Sequence, residues 1–259
     1  RNKRLLEPPP PQAAAADATT TSTLGPAGPL VGPKALREAA SAGDSAAEYE
    51  TAMRLLDGRG GAAKDAKSAA PWLERAAARG LAPAQYRLGA LYEKGVGATR
   101  DAAQARKWYL RAAEAGNARA MHNLAVLTAE GADDKPDYRA AAQWFIKAAE
   151  LGVRDSQYNL AILYARGLGV EQNLALSYTW FATAAKQGDE DSARKRDEIA
   201  AKLDAKLLAQ AKQAAELFRA KSLDRAANEV APPPGGWEKG EGGPYGGVGV
   251  RSIGRPRAG

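Results

Sequence analysis

Cysteine is absent from the 259 residues, and histidine occurs once, as His122. The first absence excludes a disulfide framework, a thiolate-bound zinc and a cysteine nucleophile. The second leaves no histidine cluster for a metal and no Ser/His/Asp triad. No apolar run approaches the roughly 18 residues that a bilayer crossing requires. Charge of one sign is scarce once it is located: the net +7 is +1 over residues 1–30 and +2 over residues 231–259. The remaining +4 is spread over a body in which acidic and basic residues are interspersed. That pattern is a solvated surface rather than a phosphate-tracking stripe, so nucleic acid is not an expected partner. Arg1-Asn2-Lys3-Arg4 has no apolar run behind it, so no signal peptide is legible, and a fragment or processed product is expected.

Apolar residues suffice for a core, at 45% of the chain. They are confined to the middle. Residues 1–31 hold Pro8-Pro9-Pro10-Pro11, an alanine run and Thr19-Thr20-Thr21, a composition that predicts a disordered, partly polyproline linker. Residues 231–259 are Pro- and Gly-rich and predict a disordered tail, in which Trp237 and Tyr245 read as solvent-exposed aromatics, with a small docking element as the other reading.

Between the tails the sequence repeats. Trp72, Trp108, Trp144 and Trp180 stand 36 residues apart, as do Gly80, Gly116, Gly152 and Gly188. Tyr86, His122 and Tyr158 keep that spacing, and so do Gly95, Gly131 and Gly167; Gly43, Tyr49 and Gly58 open three of these series one residue early. The extra residue therefore lies between Gly58 and Trp72, around Ala62-Ala63, where a loop absorbs it. The period divides the chain into four repeats, 45–80, 81–116, 117–152 and 153–188. A capping helix is expected over 32–44, and further capping helices over 189–230, with Leu207, Leu208, Ala211, Ala215 and Phe218 as their apolar stripe.

One repeat explains its own residues. Pro83 suits the first turn of a helix, and Tyr86, Leu88, Leu91 and Tyr92 form an apolar face. Gly95-Val96-Gly97 permits the left-handed turn that ends it. Asp101, like Asp65, Asp137 and Asn173, then stands where a side-chain oxygen caps a second helix. That helix carries the tryptophan, then a small pair such as Ala112-Ala113, then the terminating glycine. Its register predicts that all four indoles are sealed in the core. The predicted fold class is all-α: an α-solenoid of antiparallel helix pairs.

The combination of Leu-Gly/Ala-x-Leu-Tyr, a Gly-x-Gly turn and Trp-x₃-Ala-Ala-x-x-Gly, in that order at 84–116 and 156–188, closely resembles the Sel1-like repeat, a relative of the tetratricopeptide repeat. Repeats one and three depart from it: Thr51 replaces the leucine, Thr128 replaces the tyrosine, and Gly131-Ala132-Asp133 lacks the second turn glycine. The resemblance implies a concave groove lined by the first helices. Tyr49, Tyr86, His122 and Tyr158 would lie towards it, with Glu93, Lys94 and Arg166 at its rim and Arg87, Asn123 and Asn159 available to bond a bound segment. The competing reading packs the tyrosines between helices.

No reaction centre emerges. His122 occupies a tyrosine register and reads as a substituted aromatic rather than a base. The Gly-Val-Gly and Gly-Leu-Gly turns follow helices and lack the lysine of a phosphate loop. Asp133-Asp134 and Glu190-Asp191 read as isolated surface carboxylates. No catalytic residue, metal or cofactor is expected, and the partner is expected to be a protein or peptide. Such repeats with polar tails are similar to the periplasmic region of bacterial polar-organelle localisation factors, which implies a scaffold or localisation module on the periplasmic side of an inner membrane; a cytoplasmic one is the alternative. The rival reading is a cell-envelope hydrolase or peptidoglycan-binding protein, although the Sel1-like proteins associated with cell-wall compounds are typically rich in paired cysteines.

Overall fold

The computed structural model describes residues 28–132 and 135–238, and these contain twelve helices and no strand. They are α1 (Lys34–Ala42), α2 (Ser45–Asp57), α3 (Ala66–Ala78), α4 (Ala82–Lys94), α5 (Ala102–Glu114), α6 (Ala118–Glu130), α7 (Tyr138–Glu150), α8 (Arg154–Arg166), α9 (Leu174–Ala185), α10 (Glu190–Ala200), α11 (Ala205–Leu217) and the single turn α12 (Arg225–Asn228). Four hairpins, α2/α3, α4/α5, α6/α7 and α8/α9, stack in order, each second helix also packing on the next first helix. This is the α-solenoid that the 36-residue period predicts, with α1 as a lone helix ahead of it.

Capping sets the hairpin geometry. The carboxylate or amide oxygens of Asp65, Asp101, Asp137 and Asn173 accept the backbone N–H of Ser68, Gln104, Ala140 and Leu176 at 2.9–3.0 Å. Each satisfies one of the donors that a helix start leaves orphaned. The N–H groups of the same four capping residues donate back to Leu55, Tyr92, Thr128 and Tyr164 in the preceding helix at 2.8–3.0 Å, which closes the turn. The second turn glycine has a separate role. At Gly97, with φ +75°, an added Cβ would lie 2.2 Å from the Ala66 carbonyl oxygen; at Gly169 it would lie 2.2 Å from the Tyr138 backbone. The turn of one repeat thus rests on the start of the previous second helix, and only a missing side chain allows that approach. The equivalent Asp133 lies outside the described residues.

The indoles are not all sealed. Trp72 is 2% exposed, but Trp108, Trp144 and Trp180 are only half-buried. The core positions are the residues that follow: Leu73, Tyr109, Phe145 and Phe181, none more than 1% exposed. At roughly 100° per residue, Tyr109, Ala112 and Ala113 share one face, and Trp108 falls on its flank. From there it serves a seam. Trp144 packs against the core that runs from α1 to α7 and the one formed by α6, α7 and α8, and Trp180 against the latter and the core closed by the terminal helices. Arg111 and Lys147 cover the outer faces of Trp108 and Trp144, at 4.9 and 4.3 Å from the ring centres.

The ends differ from the repeats. In the first hairpin the fully buried Glu48 bonds Arg75 at 2.9 Å and Arg79 at 3.4 Å. Burial raises its carboxyl above the ordinary range, more than Arg79 and Arg75 lower it. Beyond the last repeat, α10 and α11 both pack on α9. Ala211 and Ala215 of the expected stripe are buried and Leu208 and Phe218 half-buried, whereas Leu207 is exposed. Residues 231–238, expected to be disordered, instead lie against the first hairpin, where Trp237 joins the partly buried residues on its core. Residues 1–27 and 239–259, with Tyr245, lie outside the described residues.

Candidate functional site

The first helices α2, α4, α6 and α8 carry the candidate residues, and their aromatic series has an internal role. Tyr86 leans on Tyr109 with ring centres 6.0 Å apart, His122 on Phe145 at 5.9 Å, and Tyr158 on Phe181 at 5.4 Å. Each ring meets the core aromatic of its own hairpin, so the register is in large part a structural ladder. Exposure then falls along the stack: Tyr49 and Tyr86 are half-buried, whereas His122 and Tyr158 are buried. His122 Nδ1 lies 2.8 Å from Ser156 Oγ on the neighbouring first helix. In the last repeat the terminal helices close the space, because Tyr158 shares a core with Ile199, Ala211 and Ala215.

The amide and basic register behaves similarly. Arg87 is half-buried and lies over the Tyr86 ring at 5.9 Å. Asn123 Nδ2 donates to the Tyr109 hydroxyl at 2.9 Å, and that hydroxyl donates to Glu93 Oε2 at 2.7 Å. Burial, with the Glu93 carboxylate beside it, drives the Tyr109 phenol far above its usual range, so it stays protonated. Asn159 is fully buried. Of the residues expected at the rim, Lys94 and Arg166 are exposed and Glu93 turns inward. Glu93, His122, Tyr158 and Asn159 thus lie inside the stack. A first helix is flanked by a second helix and by its own neighbours, which leaves a narrow strip facing solvent.

The border of that strip, at the turns where a second helix leads into the next first helix, is not bare. After α11 the chain turns back and runs against the order of the repeats. Lys221 donates its backbone N–H to the Glu150 carbonyl at 2.8 Å, and its ammonium pairs with the Glu150 carboxylate at 2.6 Å. At the next inter-repeat turn, Asn117 Nδ2 donates to the Ala227 carbonyl at 2.7 Å. Asn228 answers: its Oδ1 accepts the Ala118 N–H at 2.9 Å and its Nδ2 donates to the Gly116 carbonyl at 3.1 Å. Farther on, Trp237, Val230 and Pro232 line a depression with Ala46, Tyr49 and Glu50 of α2. Glu238 bonds Arg54 at 2.6 Å. The Arg54 side chain is 8% exposed; its burial opposes the charge, but bonds from Glu238 and Glu50 outweigh this and raise its pKa.

A model of the Sel1 repeat matches residues 45–81, 82–117, 118–153 and 154–189. The chain belongs to the Sel1 repeat family. The crystal structure of a Sel1 repeat protein from Oxalobacter formigenes is similar, with 29% identity over 69% of this chain and 75% of that one and a TM-score of 0.59. Also similar is c5321, a protective antigen of uropathogenic Escherichia coli strains displaying an SLR fold, at 28% identity over 74% of this chain and 49% of that one, with a TM-score of 0.47. No curated protein matches. The Sel1 architecture is one typical of protein-interaction modules. Among the described residues no group of three His, Cys, Asp or Glu is placed to hold a metal, and no helix is long and apolar enough to cross a membrane.

Sequence reasoning missed Arg54, Asn117, Asn228, Trp237 and Glu238 as a set. Asn117 carried a legible signal, since it caps α6 through Ala120 at 2.9 Å. Asp224 likewise accepts from Ala226 at 2.9 Å and starts α12. Neither cap reveals that the two turns meet, because 110 residues separate Asn117 from its carbonyl partner.

Proposed function

We propose that these Sel1 repeats act as a non-enzymatic scaffold or localisation module that holds a protein segment on the first-helix face. The observation that carries this reading is the set of side chains left accessible on successive first helices: Tyr49, Tyr86, Arg87, Lys94, Asn123 and Arg166 all reach solvent at least in part. They combine aromatic surface with hydrogen-bonding groups, the mixture that recognises an extended polypeptide. The periplasmic side of a bacterial inner membrane is the proposed compartment, supported by the resemblance to polar-organelle localisation factors. Binding to purified peptidoglycan is measured beside capture from envelope extract, with a photo-crosslinking residue at position 86. A single protein crosslinked at that position supports the scaffold. Saturable sugar binding with no crosslinked protein overturns it in favour of an envelope hydrolase or peptidoglycan binder.

A further inference from the structure

Residues 219–238 rest on the repeats as a ligand rests on a receptor. Only Ala227 among them is buried; the others are exposed or half-buried, so the segment adds little to the repeats' own core. What holds it is a small number of directed contacts. The Ala118 N–H belongs to the unsatisfied first turn of α6, and the Gly116 carbonyl to the turn before it. One asparagine side chain, Asn228, satisfies both, while Asn117 holds the preceding carbonyl. Ala227 is the buried side chain of the segment, 4% exposed, and it lies over Gly116. Farther along, Trp237 lines the depression beside Tyr49, and Glu238 meets the buried Arg54.

We infer that the surface running along the inter-repeat turns and onto α2 is an extended-peptide groove, that residues 219–238 are its resident and displaceable occupant, and that the external ligand is a protein segment of the same chemistry. Such a segment presents a small residue followed by asparagine to the α5–α6 turn and an indole followed by a carboxylate to α2. The tethered occupant competes at an effective concentration on the order of millimolar, so the intact chain is self-blocked against weaker segments. This deepens the scaffold reading and rests on it only for the existence of an outside partner.

The test uses the full chain and a fluorescent synthetic peptide of residues 219–238, read by anisotropy. The double variant Asn228→Ala, Trp237→Ala releases the resident segment and should bind the peptide at least about tenfold more tightly than the wild type. Adding Asn117→Asp should abolish that gain, because the carboxylate keeps the cap on α6 but cannot donate to the peptide carbonyl. Thermal melting of each variant verifies that the repeats stay folded. Hydrogen exchange gives a second readout: the Lys221 and Asn228 region is protected in the wild type and loses protection in the double variant. Equal peptide affinity for wild type and double variant, no binding to either, or a gain that survives Asn117→Asp would each overturn the groove. If an envelope protein is captured by the wild type and the peptide does not displace it, the groove falls and the scaffold stands. If the peptide behaves as expected and no protein partner is found, the groove stands and the scaffold falls.

Discussion

In the second, third and fourth repeats the first-helix ring meets a core ring 23 residues later, inside its own hairpin, while the C-terminal segment reaches back 71, 110 and 184 residues for its bonds. The two regions are held by different forces. Repeats are closed by apolar burial renewed every 36 residues, which makes their stability a sum of near-neighbour terms. The segment is attached by amide hooks, the ion pairs of Lys221 with Glu150 and Glu238 with Arg54, and one indole. A region of the first kind resists opening, and one of the second kind can leave without unfolding what it leaves behind.

The contrast can be broken most directly in the core. Phe145→Ala should cost about 3–5 kcal/mol in equilibrium denaturation, as a truncated buried ring. Trp144→Ala, beside it but half-buried, should cost less; the opposite order would return the tryptophan to the core. Gly97→Ala comes next, at about 1–2 kcal/mol for the left-handed backbone alone, with the Ala66 carbonyl adding to it, and a melting temperature equal to wild type would remove the proposed rest of one turn on the previous helix. Asp101→Ala should cost about 1 kcal/mol through the lost cap, measured in the same way. Smallest is Arg225→Ala in the C-terminal segment. Its side chain is 81% exposed and pairs with Glu229 at 3.0 Å, so the repeats' melting curve should not move. A clear shift would mean that the segment is part of their core.

Much of the repeat was legible because each of its residues answers a local demand. Asp101 lies where a helix start lacks acceptors, and Gly95 where the chain must turn left-handed. The tryptophans were harder. Periodicity identifies a position that always holds an indole, but one residue of helical rotation separates the core from the seam, and Trp108 and Tyr109 are both aromatic. Only the orientation of the neighbouring hairpin distinguishes them. The candidate residues divide for the same reason. Lys94 and Arg166, at helix ends, are exposed as their chemistry suggests, whereas Glu93, His122, Tyr158 and Asn159 are drawn inward by partners on other helices. The segment around Asn228 and Trp237 was least legible, because a Pro- and Gly-rich composition shows that a stretch cannot form its own core and leaves open whether it rests on another.

The linear chain by itself determined the number of hairpins, their period, their caps and the family to which they belong, since all of these follow from interactions spanning no more than one repeat. The tertiary structure decided which face of each helix turned inward, that the terminal helices cover the last repeat, and that residues 219–238 lie across the earlier ones. Those outcomes depend on pairs far apart in sequence, such as Asn117 with Ala227 and Arg54 with Glu238, whose proximity exists only after the stack has formed.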